Sequence, residues 1–386
     1  MGFSMSQSVA WGVMRALLLV LDSVGCGAAP DAVLYGDAGA NTLSHIYAGI
    51  PGFSLPTLEA LGLAAILGRP SPAPLASWGK MRERSAGKDT TTGHWEMAGV
   101  VLDVPFATFE RFPDSLVRAI EEEAGVEFLG NFPRSGTAVL DELGAEHIRT
   151  GKPILYTSAD SVLQIAAHEG VFPLQRLYQV CEIARRHCDP FRIGRVIARP
   201  FIGEAGAFQR TAGRHDYAML PPPTILSALA SEGHAVHGIG KISDIFAGSG
   251  ITASTATTNN AEGMAAIERL WPTHTGFMFA NLVDFDMLFG HRRDVPGYAK
   301  CLREFDAWLA NFRTSAEDLV IITADHGNDP THPGTDHTRE EVPLIVQHGG
   351  ASLPLGTRST FADVAATLAE FFKLRNWPHS GSFLPR

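Results

Sequence analysis

The stretch Ala16-Leu17-Leu18-Leu19-Val20-Leu21-Asp22 joins a continuous apolar run to an acidic residue. Such a run is typical of a strand that is covered on both faces, as in a parallel sheet. Short runs rich in Val, Ile, Leu or Phe recur at 235–240, 277–283, 318–323 and 342–346. Amphipathic helical patterns lie between or after them, at 224–232, 261–270, 296–312 and 361–372. This alternation predicts an α/β fold with a doubly wound, mostly parallel sheet.

Residues 101–220 contain a different set of elements. The pattern predicts helices at 114–124 and 174–187 and strands at 154–156 and 193–198. Three successive prolines at 221–223 end the segment in a stiff, extended stretch. We therefore expect an α+β domain, residues 101–220, to be inserted into a core domain formed by residues 1–100 and 221–386.

Composition excludes several classes of protein. The chain has 386 residues with 45% hydrophobic and 19% charged, so disorder and coiled coil do not fit. A net charge of −10 argues against nucleic acid and anionic membranes as partners. Four cysteines without a CxxC pair suit a reducing compartment. The apolar run that ends at Asp22 is too short for a membrane span, so we expect a cytoplasmic protein.

Three candidate strands end in aspartate, at Asp22, at Asp284-Phe285-Asp286 and at Asp325. A single one of these would usually be a helix cap or a turn residue. Functional residues in open α/β sheets gather beyond the carboxyl ends of strands, so three together favour a metal site. Three histidines complete the candidate ligands: His291, His326 and His337. Aspartate and histidine without thiolate suit Mn²⁺, Zn²⁺ or Mg²⁺.

A glycine-bounded segment, SAGKDTTTGHWEMAG over residues 85–99, carries three adjacent hydroxyls. We expect a loop whose turn brings Thr90, Thr91 or Thr92 close to a ligand. The segment is not a Walker A loop, and the chain has no GxSxG motif that would provide a serine nucleophile. A threonine hydroxyl is a weak nucleophile until a metal or a base removes its proton. The residues alone therefore favour a metal-activated threonine and leave the choice among the three open.

Eight strings, in this order along the chain, resemble the prokaryotic phosphopentomutase family of the alkaline phosphatase superfamily. They are DSVG at 22–25, GKDTTTGHWE at 87–96, YTSADSV at 156–162, GRVIARP at 194–200, GKISD at 240–244, NLVDFD at 281–286, DHGND at 325–329 and GTDHTR at 334–339. The resemblance extends from about residue 15 to the end of the chain and leaves residues 1–14 as an extension. It implies an alkaline-phosphatase-like core that holds two Mn²⁺ ions, or other divalent ions in their place, and an inserted cap that binds the sugar.

The resemblance also assigns roles to individual residues. Thr90, which directly follows Lys-Asp, would accept the phosphoryl group. One metal would be held by Asp22, Thr90, Asp325 and His326, and the other by Asp286, His291 and His337. Asp160 would bind the sugar hydroxyls, and the substrate phosphate would be bound by Arg195, Arg210 and Lys241. A surface ion pair is the alternative role for each of these cations, and three residues stay open between packing and substrate contact: His94, Trp95 and Glu96.

The implied activity interconverts ribose 1-phosphate and ribose 5-phosphate, and the 2-deoxy pair, in nucleoside catabolism. Phosphorylated Thr90 would give its phosphate to the bound pentose phosphate and take back the other phosphate from a bisphosphate, so that sugar bisphosphate acts as an activator. Alternatives are a phosphoglycerate mutase or phosphatase of the same superfamily, and a catalytically silent metal-stabilised binding protein. The residues do not choose between ribose and deoxyribose, and they do not define an oligomeric state.

Overall fold

The computed structural model describes residues 14–158 and 160–385. In these residues the strands are β1 Arg15–Leu21, β2 Ser77–Met81, β3 Leu129–Pro133, β4 Ile154–Thr157, β5 Val162–His168, β6 Arg195–Ile202, β7 Gln209–Arg210, β8 His215–Ala218, β9 Val236–Ile239, β10 Ala253–Thr255, β11 Gly276–Leu282, β12 Leu319–Thr323, β13 Val342–Gln347 and β14 Pro354–Arg358. The α-helices are α1 Thr42–Gly49, α2 Pro56–Leu58, α3 Ala64–Ile66, α4 Thr90–Met97, α5 Asp114–Ala124, α6 Ala138–Thr150, α7 Leu174–Cys188, α8 Ile225–Ser231, α9 Ile242–Ile245, α10 Asn260–Leu270, α11 Val295–Leu309 and α12 Asp363–Phe372.

The chain divides into two compact units, each continuous in space. Unit 1 comprises Met1–Val104 and Pro221–Arg386, and unit 2 comprises Pro105–Leu220. Unit 2 is thus an insertion between two segments that fold together.

Unit 1 is built on an eight-stranded sheet with the order β10-β9-β11-β1-β12-β13-β2-β14. The five strands from β10 to β12 run parallel to one another. β1 lies between β11 and β12, and residues 16–21 are all buried, as their continuous apolar run predicted. The predicted α/β fold with a mostly parallel sheet is confirmed.

One strand of this sheet, β13, is antiparallel to its neighbours, although its apolar run is typical of a parallel strand. β13, predicted at 342–346, pairs antiparallel with both β12 and β2. A continuous apolar run indicates that a strand is buried on both faces. It does not indicate whether the strand runs parallel or antiparallel to its neighbours, so the composition of β13 could not predict its direction.

The helices of unit 1 begin and end close to the positions that their patterns predicted. α11 begins at Val295, with Pro296 in its first turn and the side chain of Asp294 accepting from the Gly297 amide. It ends at Leu309, three residues before the predicted end at residue 312. Phe371 and Phe372 of α12 are buried, as their helical spacing indicated.

Unit 2 contains a six-stranded sheet, in which β3 to β7 follow one another and β8 pairs with β6. One core packs α5 and α7 on the sheet and includes Phe112, Leu163 and Val196. A second core includes Val139, Tyr156 and Phe201 beneath α6. No helix in the described part of either unit has the length and apolarity to cross a bilayer.

Candidate active site

Three acidic segments meet because the strands that precede them are neighbours in the sheet of unit 1. Asp22 follows β1, Asp325 follows β12, and Asp286 lies in a π-helical turn, Phe285–Gly290, shortly after β11. Parallel strands bring their carboxyl ends to the same edge, so three segments that are far apart in sequence converge there. The turn Phe285–Gly290 is called the aspartate turn below.

Asp22, Asp325 and His326 form the first group, in which one ligand atom of each lies within 4.8 Å of the others. His326 Nε2 is 3.4 Å from Asp22 Oδ1 and 3.3 Å from Asp325 Oδ2. The Nδ1 of the same ring donates to the Gly327 carbonyl at 3.0 Å, which leaves Nε2 to face the carboxylates. All three side chains are buried.

Asp286, His326 and His337 form the second group within the same limit. His291 approaches it from the side, with Nε2 3.1 Å from Asp286 Oδ2, while its Nδ1 donates to the Thr335 carbonyl at 2.6 Å. His337 Nε2 is 3.6 Å from Asp286 Oδ1. The structure therefore brings the six predicted aspartate and histidine ligands together, with His326 common to both groups.

The electrostatics of the groups are those of a cation site. Burial raises the pKa of Asp22, and the neighbouring Asp325 carboxylate raises it further. Burial also opposes ionisation of Asp286, but the neighbouring imidazoles of His291 and His337 outweigh it and hold the pKa of Asp286 well below its usual range. Buried carboxylates side by side repel unless positive charge lies between them.

Unpartnered ligand atoms test whether the residues fit a metal. Asp22 Oδ1, Asp325 Oδ2 and His337 Nε2 are buried and have no hydrogen-bond partner among the described residues. A buried polar atom without a partner costs free energy, so such atoms usually bind something. Oxygen and imidazole donors suit a divalent ion of the Mn²⁺, Zn²⁺ or Mg²⁺ kind. The donor set fits divalent metal.

The threonine segment is not the loop that its glycines suggested, and that prediction is wrong. Thr90, Thr91 and Thr92 form the first turn of α4, which continues to Met97. Asp89 explains the difference, because its side chain caps the helix by accepting from the Thr92 amide at 3.1 Å and from Thr92 Oγ1 at 2.5 Å.

Thr90 is the threonine whose hydroxyl faces the metal groups. Its Oγ1 lies 3.1 Å from His326 Nε2, and Gly93, one turn further on, packs against the Asp325 backbone. A Cβ at position 93 would lie 2.3 Å from the Asp325 carbonyl oxygen, so only glycine allows α4 to approach this closely. Thr92 is buried, and its hydroxyl is already bonded to Asp89.

His94, Trp95 and Glu96, for which the sequence allowed either a packing role or a contact with substrate, are all buried. His94 lies beside the first group, with Nδ1 2.8 Å from the Thr90 carbonyl and 3.3 Å from Asp325 Oδ2. Trp95 Nε1 donates to the Ile245 carbonyl. Glu96 accepts from the backbone amides of residues 84, 85 and 361 and from the Thr360 hydroxyl. These contacts support the helix that carries Thr90.

Two asparagines next to the ligands were not selected from the sequence. Asn281 Nδ2 donates to Asp22 Oδ2 at 3.1 Å, and Asn328 Nδ2 donates to Asp286 Oδ1 at 2.7 Å. Both lie inside strings that carried the family resemblance, NLVDFD and DHGND. Their position within a few residues of a candidate ligand was the available signal.

The predicted substrate residues are distributed over both units. Lys241 is exposed at the start of α9 in unit 1. Asp160 is exposed in the turn between β4 and β5 of unit 2, after a strand that ends at Thr157. Arg195 is on β6, where its Nη1 lies 3.6 Å from Asp216 Oδ2, and Arg210 is exposed on β7.

Arg195 and Arg210 belong to a group of arginines in unit 2 that also contains Arg199 and Arg214, which the sequence did not single out. Arg199 follows Arg195 by four positions on β6, so both side chains lie on one face of the sheet. Asp216 is bonded by Arg214 through both carboxylate oxygens, each at 2.7 Å. Burial lowers the pKa of Arg199, and the charges of Arg214 and Arg210 lower it further, so positive charge is in excess here.

A family model describing the metalloenzyme superfamily matches residues 14–376. The chain is 53% identical over 384 residues to the phosphopentomutase of Caldanaerobacter subterraneus subsp. tengcongensis, an alignment that covers 96% of this chain and 98% of the relative. It is also 53% identical over 374 residues to the phosphopentomutase of Carboxydothermus hydrogenoformans, with 93% and 96% covered.

A solved structure, that of the PH0037 protein from Pyrococcus horikoshii, has a similar fold. The TM-score is 0.50 at 14% sequence identity, and the match covers 94% of this chain and 98% of that chain. At this identity the likeness concerns the fold alone.

Proposed function

We infer that this chain, which belongs to the phosphopentomutase family within the metalloenzyme superfamily, is an isomerase that interconverts ribose 1-phosphate and ribose 5-phosphate, and the corresponding 2-deoxy pair. The observation that carries this inference is the position of the Thr90 hydroxyl beside His326, the residue common to both candidate metal groups. In a chain with these relatives, that arrangement is suited to phosphoryl transfer through threonine.

The enzyme uses divalent metal, and we assign two Mn²⁺ ions to it. One would be held by Asp22, Thr90, Asp325 and His326, and the other by Asp286, His291 and His337. When bound, the ions supply positive charge that polarises phosphate oxygens and stabilises the attacking and leaving oxygens of an in-line transfer. Three carboxylates carry −3 against +4 from two divalent ions, so the loaded site keeps a net attraction for a phosphoryl group.

The phosphoryl group would be carried by Thr90 in the resting enzyme. The free hydroxyl of a bound pentose monophosphate attacks the phosphorus, and the bond from phosphorus to Thr90 Oγ1 breaks as the new one forms. The product is a pentose bisphosphate, whose other phosphoryl group then returns to Thr90. Thr90 begins α4, and the positive end of a helix dipole favours a phosphorylated side chain at this position.

The capping interaction of Asp89 supports this role of Thr90. In-line transfer needs reacting atoms held about 3–3.5 Å apart and aligned, so the acceptor oxygen must be fixed in place. Asp89 fixes the first turn of α4 through the Thr92 amide and hydroxyl, and His94 holds the Thr90 carbonyl at 2.8 Å. Thr91 and Thr92 then point in other directions from the same turn.

Substrate selection is assigned to Asp160, Arg195, Arg210 and Lys241. A carboxylate can accept two hydrogen bonds from pentose hydroxyls, which suits the exposed Asp160. Arginine binds phosphate through two parallel hydrogen bonds, and the positive charge in excess around Arg195 and Arg199 would be compensated by a phosphate dianion. By this assignment unit 2 is the sugar-binding cap and unit 1 the metal-binding catalytic core.

A coupled assay tests the proposal. Ribose 1-phosphate is supplied with Mn²⁺, with and without a trace of ribose 1,5-bisphosphate, and formation of ribose 5-phosphate and of free phosphate are followed together. We expect isomerisation to exceed phosphate release by a wide margin and the bisphosphate to shorten any lag. Phosphate release faster than isomerisation would instead identify a phosphatase, and conversion of phosphoglycerate alone would identify a phosphoglycerate mutase. We also propose that the enzyme acts in the cytoplasm.

A further inference from the structure

Arg293 lies where the segment that carries Asp286 meets the segment that carries His337. One is the aspartate turn with Asp286, and the other is residues 329–337, called the histidine loop because His337 ends it. We propose that Arg293 is the positioning residue of the second metal site, and that its guanidinium holds the histidine loop against the aspartate turn. The inference rests on the proposed function, since it takes Asp286, His291 and His337 as ligands of one ion.

The guanidinium donates to backbone carbonyls at three points of the histidine loop. Nε donates to Gly334 at 2.5 Å, Nη2 to Asp336 at 3.1 Å and Nη1 to Asp329 at 2.9 Å. The loop has no regular secondary structure, so few of its backbone groups are held by helix or sheet hydrogen bonds. Contacts at its beginning, middle and end therefore define where His337 is placed.

The same guanidinium reaches the aspartate turn directly and through a buried asparagine. Nη1 also faces the Gly290 carbonyl at 3.1 Å and Asn328 Oδ1 at 2.5 Å. An amide whose oxygen accepts from Arg293 must turn its NH₂ group the other way, and Asn328 Nδ2 donates to Asp286 Oδ1 at 2.7 Å. Arg293 thus orients Asp286 through Asn328 and leaves Oδ2 facing His291.

The packing around Asn328 leaves little freedom for another arrangement. Asn328 is fully buried, and a Cβ at Gly290 would lie 2.8 Å from its Nδ2 and 2.9 Å from its Cγ. The amide therefore occupies a space that exists because residue 290 is glycine. Removal of the guanidinium would leave a buried amide oxygen without its donor, which favours rotation of the amide away from Asp286.

Two features indicate that the forked shape of the guanidinium is needed in addition to its positive charge. The groups it contacts are neutral, namely four carbonyls and one amide oxygen. Arg293 also has φ +56°, a left-handed conformation that L residues other than glycine rarely adopt, so its contacts must hold the backbone there. Lysine has one nitrogen with three donors and cannot reach acceptors on both sides as a planar fork does.

Metal binding by the full-length chain tests this inference. The metal-free protein is titrated with Mn²⁺ by calorimetry, for the natural chain and for Arg293→Ala, Arg293→Lys and Arg293→Gly. The matched control is Arg292→Ala, which removes an exposed neighbouring arginine. Asp286→Asn should weaken binding of the ion at the second group, and Asp22→Asn should weaken binding of the ion at the first group. These two variants therefore identify which binding step in the titration belongs to which group.

We expect Arg293→Ala to weaken the step that Asp286→Asn also weakens, by about 10–100-fold, as is usual when a residue that orients a metal ligand is lost. The dissociation constant of the step that Asp22→Asn weakens should change by no more than about threefold, and Arg293→Lys should show the same loss of affinity as Arg293→Ala. Arg293→Gly relieves the left-handed backbone while removing the fork, so it should fold at least as well as the alanine variant and show the same loss.

Unchanged Mn²⁺ affinity at both steps in the Arg293 variants would overturn the inference. An equal loss of affinity at both steps, or full affinity in Arg293→Lys, would overturn it as well. If the natural chain binds fewer than two metal ions, the second site of the proposed function fails and the inference fails with it. If it binds two and the Arg293 variants also bind two with unchanged affinity, only the inference fails. Thermal unfolding of the metal-free variants checks that each one is folded during the titration.

Discussion

The Thr90 hydroxyl oxygen lies 3.1 Å from Nε2 of His326, and His326 is common to both candidate metal groups. This relationship links the proposed phosphoryl acceptor to both candidate groups through a single buried side chain. It also depends on α4, because the first turn of that helix points Thr90 toward β12 and directs the hydroxyl of Thr92 back to Asp89.

Loss of the Thr90 hydroxyl should abolish mutase turnover. Thr90→Ala removes the acceptor oxygen, whereas Thr91→Ala, the matched control on the same turn, should keep much of the activity. Thr90→Ser should retain some activity because it keeps the hydroxyl and loses only the methyl group that restricts χ1. Mass spectrometry of the peptide after incubation with ribose 1,5-bisphosphate should find phosphate on Thr90. Phosphate on Thr91 or Thr92 instead would contradict the assignment.

Removal of divalent metal should abolish turnover and lower stability. Asp22 and Asp325 are buried side by side with unpartnered oxygens, so an ion that binds only the native state relieves their repulsion. At a metal concentration of 100 times Kd the free energy of unfolding should rise by about 2.7 kcal/mol. Thermal unfolding against Mn²⁺ concentration measures this, and Asp22→Asn should reduce the rise. Full activity in protein proven free of metal would exclude the mechanism, and we expect Mn²⁺ to restore turnover better than Mg²⁺ or Zn²⁺.

Asp160→Ala should weaken pentose binding without disturbing the metal site. The side chain is exposed in the turn between β4 and β5, so its loss should change the free energy of unfolding by no more than about 0.5 kcal/mol. Loss of the hydrogen bonds that the sugar hydroxyls would donate to this charged acceptor should raise KM about tenfold or more, which corresponds to about 1.4 kcal/mol. Steady-state kinetics with ribose 5-phosphate checks this, with Glu122→Ala as an exposed carboxylate control in unit 2. Unchanged KM would show that another residue binds the sugar.

Unit 2 should lose stability as pH falls below about 6.5, the unperturbed histidine value. Burial lowers the pKa of His147, whose Nδ1 donates to the Lys152 carbonyl at 2.7 Å and whose Nε2 accepts from the His168 amide at 2.8 Å. A lowered pKa means that the unfolded chain binds the extra proton first, so stabilisation is complete above about 6.5 and is lost below it.

Urea unfolding of the natural chain and of His147→Gln at pH 7.5 and pH 5 measures this loss. The natural chain should lose up to about 1.4 kcal/mol more per pH unit below 6.5 than the variant does. His187→Gln, which removes a partly exposed histidine paired with Glu123, serves as the control. Identical pH dependence of the natural chain and the His147 variant would contradict the prediction.

Local patterns predicted those parts of the fold that depend on local chemistry. Apolar runs identified β1, β11 and β12, and the aspartates that follow them were recognisable because each lies within a few residues of the end of its strand. The direction of β13 escaped prediction because a strand buried on both faces has the same composition in either setting. Three glycines and three threonines likewise suggested a loop between residues 85 and 99, although Asp89 is a standard helix cap.

Residue type and short-range periodicity were enough to predict the kinds of candidate ligand at this site and the strands that precede them. Only the folded chain shows that His326 belongs to both groups, that Thr90 faces it, and that Arg293 reaches Asp286 through Asn328. These contacts join segments that are 35 to more than 200 residues apart. These segments are brought together by the order of β11, β1 and β12 in the sheet and by the packing of α4 against Asp325. Neither the strand order nor this packing can be read from the spacing of residues along the chain.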